Sequence, residues 1–195
     1  GTKTTAAVAT VDGVILGLGQ GRGANYHNIG LVETEASLQK AISTALDQAK
    51  EKIGHLLTIR SACLGMAGLD TERDKRTLQE LVTEGGLKIL IGEKVFLVND
   101  GLIGLRSGVD DSYGLCLIAG TGACCYGINR EGKEAHAGDW GFLLGDQGSG
   151  YAIGVKVLKT VMASFDGRCE ETILTDLLLS RLKLARVSDL VFWAY

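Results

Sequence analysis

The sequence predicts an α/β protein, and three observations carry this prediction. First, stretches with a helical hydrophobic period alternate with stretches of strand-like residues along the chain. Second, residues 114–132 read as strand, Gly-Thr turn, strand and polar turn, which repeats the design of the chain's opening and suggests a duplicated fold. Third, polar or glycine-rich turns follow several strands, at the sheet edge where ligands of α/β proteins bind.

The first predicted elements are a hairpin and a helix. Residues 4–11 and 14–19 read as strands, and Asp12-Gly13 between them is a strong hairpin signal. Residues 33–53 have the hydrophobic period of a helix, which Gly54 ends. The apolar face of this helix consists of Leu38, Ala41, Ile42, Ala45, Leu46, Ala49 and Ile53.

The later elements keep this alternation. Asp100 stands at the C-terminal end of the predicted strand 94–99, and Gly120-Thr121-Gly122 separates two further predicted strands. The other predictions are strands 58–66, 114–119 and 123–128, a polar turn at 129–132, and helices 73–83, 147–165 and 171–184.

Composition limits the classes of function. The formal net charge of -3 leaves no basic surface for nucleic acid, and no apolar run is long enough for a membrane span. A hydrophobic content of 46% with 22% charged residues is typical of a soluble globular protein. The odd number of five cysteines, with no C-x-x-C pair, favours a reducing cytoplasm. We therefore expect a cytoplasmic protein that binds small molecules. The sequence leaves the oligomeric state open, and a homodimer is one of the assemblies that it allows.

Both ends of the chain suggest truncation. Gly1 is followed at once by the polar turn Thr2-Lys3-Thr4, without the strand that should enter such a turn. The chain stops at Tyr195, before a second α/β unit could be completed. We expect residues 1–112 to form one lobe that lacks its first strand, and residues 113–195 to begin a second lobe.

Two turns and one carboxylate suggest phosphoryl transfer. Glycines in Gly120-Thr121-Gly122 and at Gly1 let backbone N–H groups approach a phosphate, and threonine hydroxyls add donors. Asp100, between these turns, is placed to accept a proton. Each feature also has an ordinary reading, because Gly120-Thr121-Gly122 can be a simple hairpin and Asp100 can cap the helix that follows it.

Other motifs are weaker. Gly127-x-x-x-x-Gly132-Lys133 resembles a phosphate-binding P-loop, but Glu134 stands where Ser or Thr is required. Residues 19–24 imitate a dinucleotide-binding fingerprint, yet residues 25–28 are a poor opening for the helix it needs. The histidines are too scattered for a metal site: His27, His55 and His136.

The glycine-rich segment 137–150 shifts the balance towards a sugar site. It contains the aromatic Trp140 and the carboxylates Asp139 and Asp146, and an aromatic wall beside groups that bind hydroxyls suits a sugar. Trp140 can equally be a core aromatic and Asp146 a helix cap. Asn25, in its own glycine-rich loop, offers one more polar contact.

Taken together and in this order, these motifs resemble the BadF/BadG/BcrA/BcrD-type ATPases of the sugar kinase–actin–Hsp70 superfamily, along essentially the whole chain. The resemblance implies two ribonuclease-H-like, actin-like lobes with nucleotide and sugar in the cleft between them. It implies phosphate binding by Gly1, Thr2, Lys3, Thr4, Gly120, Thr121 and Gly122. It implies sugar binding by Asn25, Asp100, Ala123, Cys124, Asp139, Trp140, Gly141, Phe142 and Asp146, with Asp100 as the base.

The function implied is ATP-dependent phosphorylation of an amino sugar, N-acetylglucosamine at its 6-hydroxyl, with ATP and Mg²⁺ as cofactors and no metal ligand assigned to the chain. Two departures from the family pattern stand out: the aspartate of the opening Asp-Gly-Gly-Gly-Thr loop is absent, and Asp139 replaces a glycine of the sugar loop. The adenosine-binding part would lie beyond Tyr195, in roughly 100 further residues.

Two other functions are alternatives. One is an ATPase that activates a radical dehydratase or reductase through an iron–sulfur cluster. Such relatives place a cysteine directly before the glycine turn and a helix after it, whereas Leu117-Ile118 precede the turn here and a strand-like run follows. The other alternative is a non-catalytic sugar-binding module.

Overall fold

Helices and strands alternate along the chain, as the sequence predicts. The computed structural model describes residues 2–54, 57–92 and 94–195. The first part contains β1 (Lys3–Ala9), β2 (Ile15–Arg22), α1 (Tyr26–Ile53), β3 (Ala62–Met66), α2 (Glu72–Glu84), α3 (Lys88–Ile91), β4 (Val95–Asn99) and α4 (Asp100–Gly108). The second contains β5 (Gly114–Ala119), β6 (Ala123–Ile128), β7 (Glu134–Gly138), α5 (Gly141–Leu144), α6 (Gly150–Phe165), α7 (Leu174–Leu182), a 3-10 turn (Val187–Asp189) and α8 (Leu190–Ala194).

The strands form three small sheets among the described residues. β1 and β2 are an antiparallel hairpin, β3 and β4 are parallel, and β5, β6 and β7 form an antiparallel sheet in chain order. The Asp12-Gly13 turn is confirmed, with Gly13 at φ 83. β3 is shorter than the predicted strand 58–66, and β7 was not predicted because its Glu-Ala-His-Ala-Gly sequence lacks strand-forming residues.

Glycines on β2 allow it to lie directly against the backbone of α1. A Cβ at Gly17 would lie 2.0 Å from the Ala45 carbonyl oxygen, and one at Gly19 would lie 2.0 Å from that of Ala41. Gly21 faces Ser37 in the same way. Gly19 and Gly21 of the fingerprint-like residues 19–24 therefore belong to a strand and pack against α1. This contact argues against a dinucleotide-binding loop at these residues.

The start of α1 differs from the prediction. The helix begins at Tyr26, because the side-chain oxygen of Asn25 caps it by accepting the His27 N–H at 3.0 Å. A break at Gly30, with φ 80, separates this first turn from the longer amphipathic part that the sequence period predicts. Residues 25–28 are therefore a helix start, and the reading of them as a poor helix opening was wrong.

A buried carboxylate joins α2 to α1. Asp74 is 4% exposed, and its Oδ2 accepts hydrogen bonds from the Thr71 N–H and hydroxyl, both at 2.7 Å, in the capping box of α2. Its Oδ1 accepts a hydrogen bond from the Tyr26 hydroxyl and lies 3.1 Å from His27 Nε2. Asp74 thus ties the first turn of α1 to the first turn of α2.

These bonds determine how the two side chains titrate. Burial raises the pKa of Asp74, but the hydrogen bonds from Tyr26 and Thr71 outweigh it and lower that pKa to about 2. Burial and the bond to Asp74 raise the pKa of the Tyr26 hydroxyl to about 12.

In the part of the chain that the structure describes, buried apolar side chains gather in three clusters around these elements. The largest lies between α1, α2 and the parallel strands and consists of Leu38, Leu64, Met66, Leu78, Val82, Leu87 and Ile91. A second joins α4 to β6 through Leu105, Tyr126 and Ile128. A third joins α6 to the C-terminal segment through Val161, Val187 and Leu190.

A groove of about 1000 Å³ lies between β1 and β3. It is lined by residues 4–11 on one side and 58–66 on the other, and Leu38, Ile42 and Leu46 of α1 contribute to its apolar surface. Within the described ranges, β1 pairs only with β2 and β3 only with β4, so each strand turns an unpaired edge to this groove.

None of the helices in the described parts of the chain combines the length and the apolarity needed to cross a membrane.

From the contact between β2 and α1 we predict how substitution of a glycine changes the free energy of unfolding. Gly19→Ala should lower the free energy of unfolding by about 3 kcal/mol, because the new methyl group meets helix backbone that cannot move aside. Gly154→Ala is the control: it lies in α6 with open space around it, so it should stabilise by about 0.5–1 kcal/mol. Urea unfolding measures both, and a Gly19→Ala variant as stable as the parent would contradict the packing.

Because Asp74 is hydrogen-bonded in its charged form, we predict that the free energy of unfolding decreases in acid. Because its pKa is depressed to about 2, its contribution is fully present above about pH 4 and is lost as the pH falls from 4 towards 2. Urea unfolding of the parent should lose about 2 kcal/mol more over this interval than unfolding of Asp74→Asn. The exposed Asp110→Asn should keep the parent's pH dependence; equal slopes for the parent and Asp74→Asn would refute the assignment.

Candidate active site

Asp100 lies at the carboxyl end of β4 and is the first residue of α4. Asn99, rather than Asp100, caps this helix, because its Oδ1 accepts the Gly101 N–H at 2.8 Å. The alternative in which Asp100 is the cap is therefore wrong. Asp100 Oδ1 is buried and has no hydrogen-bond partner among the described residues. A buried polar oxygen of this kind is costly unless a ligand satisfies it, so Asp100 is available to a substrate hydroxyl.

The Gly-Thr-Gly turn joins β5 to β6 as predicted, and it also contacts a helix. The Gly120 N–H donates to the Gly122 carbonyl at 2.9 Å, and the Gly120 carbonyl accepts the Gly150 N–H at 2.7 Å. Gly150 is the first residue of the 16-residue helix α6, which Ser149 caps. The exposed Thr121 therefore lies near a helix N-terminus, where N–H groups and the helix dipole favour an anion such as phosphate.

Ala123 directly follows this turn and forms hydrogen bonds with both ends of the predicted sugar loop. The Ala123 N–H donates to Asp146 Oδ1 at 2.9 Å, and the Ala123 carbonyl accepts the Asp139 N–H at 3.1 Å. Asp146 is buried at 7% exposure, so it holds the loop; Ser149, not Asp146, is the cap of α6. A Cβ at Gly138 would lie 2.5 Å from the Ala123 carbonyl, which explains the glycine there.

Asp139 and Asp146 both adopt the left-handed conformation at φ 63. Aspartate and asparagine tolerate this region better than other residues with a Cβ. The structure therefore accounts for Asp139 at the position where the resemblance implies glycine: the backbone keeps a conformation that glycine allows, and a carboxylate is added.

The carboxylates of the site influence one another. Burial raises the pKa of Asp139, and the charges of Asp100 and Asp146 raise it further while His136 opposes them. Burial, followed by the charge of Asp139, raises the pKa of Asp70 to about 6. The structure thus brings Asp100, Asp139 and Asp146 together and adds Asp70, which sequence reasoning missed.

Cys124 lies in β6 beside these carboxylates and is half-buried. Burial, followed by the charges of Asp139 and Asp100, raises the pKa of its thiol to about 11. The side chain is therefore a neutral thiol at physiological pH in the absence of a ligand.

The aromatic residues of the sugar loop lie on the surface. Trp140 is 51% exposed and its ring is 5.4 Å from that of His136; Phe142 is 69% exposed and lies 5.2 Å from Tyr151. Trp140 is not a core aromatic, so it is free to face a ligand. Gly141, at φ 74, begins the short helix α5 after it.

Asn25 precedes the start of α1 and lies beside the loop that follows β3. A Cβ at Gly68 would lie 2.8 Å from Asn25 Oδ1, so Asn25 packs against the loop that follows β3. Because its oxygen caps α1, its amide nitrogen is the group that it can offer to a ligand.

The opening segment differs from the predicted turn. Gly1 lies outside the described residues. Lys3 and Thr4 belong to β1, and the Thr4 hydroxyl donates to the Arg22 carbonyl at 2.8 Å, so the predicted turn is wrong at these two positions. Thr2, exposed, directly precedes the strand.

The structure also tests the fit of a metal ion. No group of three His, Cys, Asp or Glu side chains among the described residues could hold one. Of the three scattered histidines, His27 contacts Asp74 and His136 contacts Trp140, while His55 lies outside the described residues. No step of a mechanism is therefore assigned to a metal held by this chain.

Two curated proteins match the whole chain. It is 37% identical over 202 residues to the N-acetyl-D-glucosamine kinase of Dictyostelium discoideum, covering 62% of that protein. It is 38% identical over 197 residues to the N-acetylmuramic acid/N-acetylglucosamine kinase of Clostridium acetobutylicum, covering 61% of that protein. The chain thus spans less than two thirds of the length of these relatives.

Solved structures confirm the predicted α/β fold of the actin-like class. A crystal structure from Chromobacterium violaceum, provisionally named N-acetylglucosamine kinase, aligns with a TM-score of 0.71 at 23% identity, over 92% of this chain and 60% of that one. One from Porphyromonas gingivalis with the same provisional name aligns with a TM-score of 0.66 at 23% identity, over 96% and 61%. Residues 1–191 match the sequence profile of the BadF/BadG/BcrA/BcrD ATPases, and the chain belongs to this family.

Proposed function

We propose that the complete protein transfers the γ-phosphoryl group of ATP to the 6-hydroxyl of N-acetylglucosamine or a related amino sugar. The observation that carries this proposal is Asp100 Oδ1, a buried and unpartnered carboxylate oxygen beside Asp139 at the end of β4. The kinase names of the two curated relatives support the choice of reaction.

Asp100 is the general base of the proposed reaction. Its carboxylate accepts the proton of the sugar hydroxyl, whose oxygen forms a bond to the γ-phosphorus. The bond from that phosphorus to the bridging oxygen breaks, and ADP leaves with its electron pair. Such transfer depends mainly on positioning and charge stabilisation, and the base must lie within hydrogen-bond reach of the hydroxyl.

The phosphates of ATP are proposed to lie at the Gly-Thr-Gly turn. Its N–H groups, the Thr121 hydroxyl and the nearby N-terminus of α6 supply donors there. The opening residues Gly1, Thr2, Lys3 and Thr4 are the second proposed phosphate contact. Magnesium bound to the phosphates of ATP would neutralise part of the charge that develops during the transfer.

The sugar is proposed to lie between α1 and the loop after β7. The Asn25 amide nitrogen, the Asp139 carboxylate and the Trp140 ring offer the two kinds of contact that a sugar needs, hydrogen bonds to hydroxyls and an apolar face. Asp146 positions this loop through Ala123. The remaining proposed contacts are Ala123, Cys124, Gly141 and Phe142.

The two alternative functions are an iron–sulfur activator and a non-catalytic sugar-binding module, and the activity assay described below distinguishes them from a kinase. An iron–sulfur activator fits poorly, because β6 rather than a helix follows the Gly-Thr-Gly turn and Leu117-Ile118 rather than a cysteine precede it. A non-catalytic sugar-binding module would bind N-acetylglucosamine without turnover.

Asp100→Asn tests the base directly. We expect the complete protein to fold normally and to lose about 100- to 10,000-fold in kcat, because the amide cannot accept the proton. A coupled ADP assay with N-acetylglucosamine measures the loss. The control Asp110→Asn changes an exposed carboxylate after α4 and should keep full activity.

Other outcomes of that assay are equally informative. Full activity of Asp100→Asn would refute the base. Calorimetric binding of N-acetylglucosamine without ADP production in the parent would support the binding module instead. A brown, iron-containing protein would support the activator.

We propose further that residues 1–112 form one lobe and residues 113–195 the start of a second, and that the groove between β1 and β3 takes an extended segment of the same polypeptide. Two unpaired strand edges above an apolar surface fit one strand.

Amide hydrogen exchange tests this proposal. Amides of β1 and β3 that face the groove should exchange at least about tenfold more slowly in a longer protein that includes residues before Thr2, because a strand would bond them. The amides that join β5 to β6 should be equally protected in both proteins. Unchanged exchange at the groove would show that no strand fills it.

A further inference from the structure

The side chain of Asn99 does more than cap α4. Its Oδ1 accepts the Gly101 N–H at 2.8 Å, while its Nδ2 donates to the Leu69 carbonyl at 3.2 Å and to Asp70 Oδ1 at 3.0 Å. One amide therefore joins the loop after β3 to the turn that carries Asp100. Because Gly101 directly follows Asp100, the bond from Gly101 fixes the backbone that presents the base.

Asp70 is itself held from the other side. Its N–H donates to Asp74 Oδ2 at 3.2 Å, and Asp74 also binds Tyr26, the residue after Asn25. A continuous series of hydrogen bonds thus runs from the start of α1, through the start of α2, to the start of α4. It connects the two proposed sugar contacts Asn25 and Asp100, which lie on different elements.

We propose that Asp70 is a positioning residue for the phosphoryl transfer proposed above: its carboxylate, through Asn99, holds the first turn of α4 and with it the carboxylate of Asp100. This inference rests on the proposed function. No substrate contact is assigned to Asp70; it acts through Asn99.

The ionisation of Asp70 makes this role measurable. Burial and neighbouring charges raise its pKa to about 6, so it loses its charge as the pH falls through that value. A neutral carboxyl group is a weaker acceptor for the Asn99 amide than a carboxylate. The titratable groups that face Asp70 are Asp74 on α2, Asp100 on α4, His136 in β7 and Asp139 after it, and Glu72, Lys75 and Glu134 line the same pocket.

Three variants distinguish a positioning role of Asp70 from a purely structural one. Asp70→Asn keeps an oxygen for the Asn99 amide but cannot change charge. Asp70→Ala removes the acceptor. Asn99→Ser keeps an N-cap oxygen for the Gly101 N–H but loses the bonds to Leu69 and Asp70.

In the complete protein we expect kcat of the parent to fall as the pH drops through about 6, and the fall at that pH to be absent in Asp70→Asn. Asp70→Ala and Asn99→Ser should each lower kcat about tenfold with an unchanged KM for ATP. The double variant should lose no more than either single one, because both changes break the same link. Additive losses, or identical pH profiles for the parent and Asp70→Asn, would overturn the proposal.

A second readout does not depend on activity. The NMR signal of the Gly101 amide should shift with a midpoint near pH 6 in the parent and should not do so in Asp70→Asn. If the protein proves inactive while Gly101 titrates, the proposed function fails and the link from Asp70 to α4 stands. If the kinase is active and Gly101 does not respond, the positioning role fails alone.

Discussion

The buried carboxylate of Asp74 is the constraint on which the arrangement of the site depends. It is 4% exposed and accepts hydrogen bonds from Tyr26, Thr71 and the Asp70 backbone, so the start of α1 and residues 70–74 must meet at one point. A buried charge is tolerated only when such bonds replace water, and losing a partner leaves it uncompensated. The helix starts that carry Asn25 and the link to Asp100 are therefore fixed together.

A second junction, at Ala123, organises the other half of the site. The residue follows the Gly-Thr-Gly turn, and its N–H and carbonyl hold Asp146 and Asp139 at the two ends of the sugar loop. The loop accepts two aspartates in the left-handed region, a conformation that costs free energy and is maintained by the surrounding bonds. The Gly-Thr-Gly turn and the loop after β7 thus share one anchor, which would keep the two proposed substrates at a defined separation.

Local signals explain where sequence reasoning succeeded. β5 and β6 have their predicted limits because a glycine turn and a polar turn bound two apolar runs. α2 begins one residue before its predicted start because Thr71 and Asp74 form a capping box. The same reasoning missed the start of α1, where Asn25 is a good cap but Gly30 interrupts the helical period. It also missed β7, which pairs with β6 although its residues have little strand propensity.

The alternation of elements and the family could be inferred from the amino-acid sequence, because both depend on local periodicity and on the order of short motifs. The packing of the elements was needed to show that Asn99 rather than Asp100 caps α4, that the glycines of β2 pack against α1, and that Asp70 lies with Asp100 and Asp139. Each of these depends on which distant groups share a hydrogen bond, a close contact or a charge. Such partners are set by how the elements pack, and no local pattern in the chain specifies them.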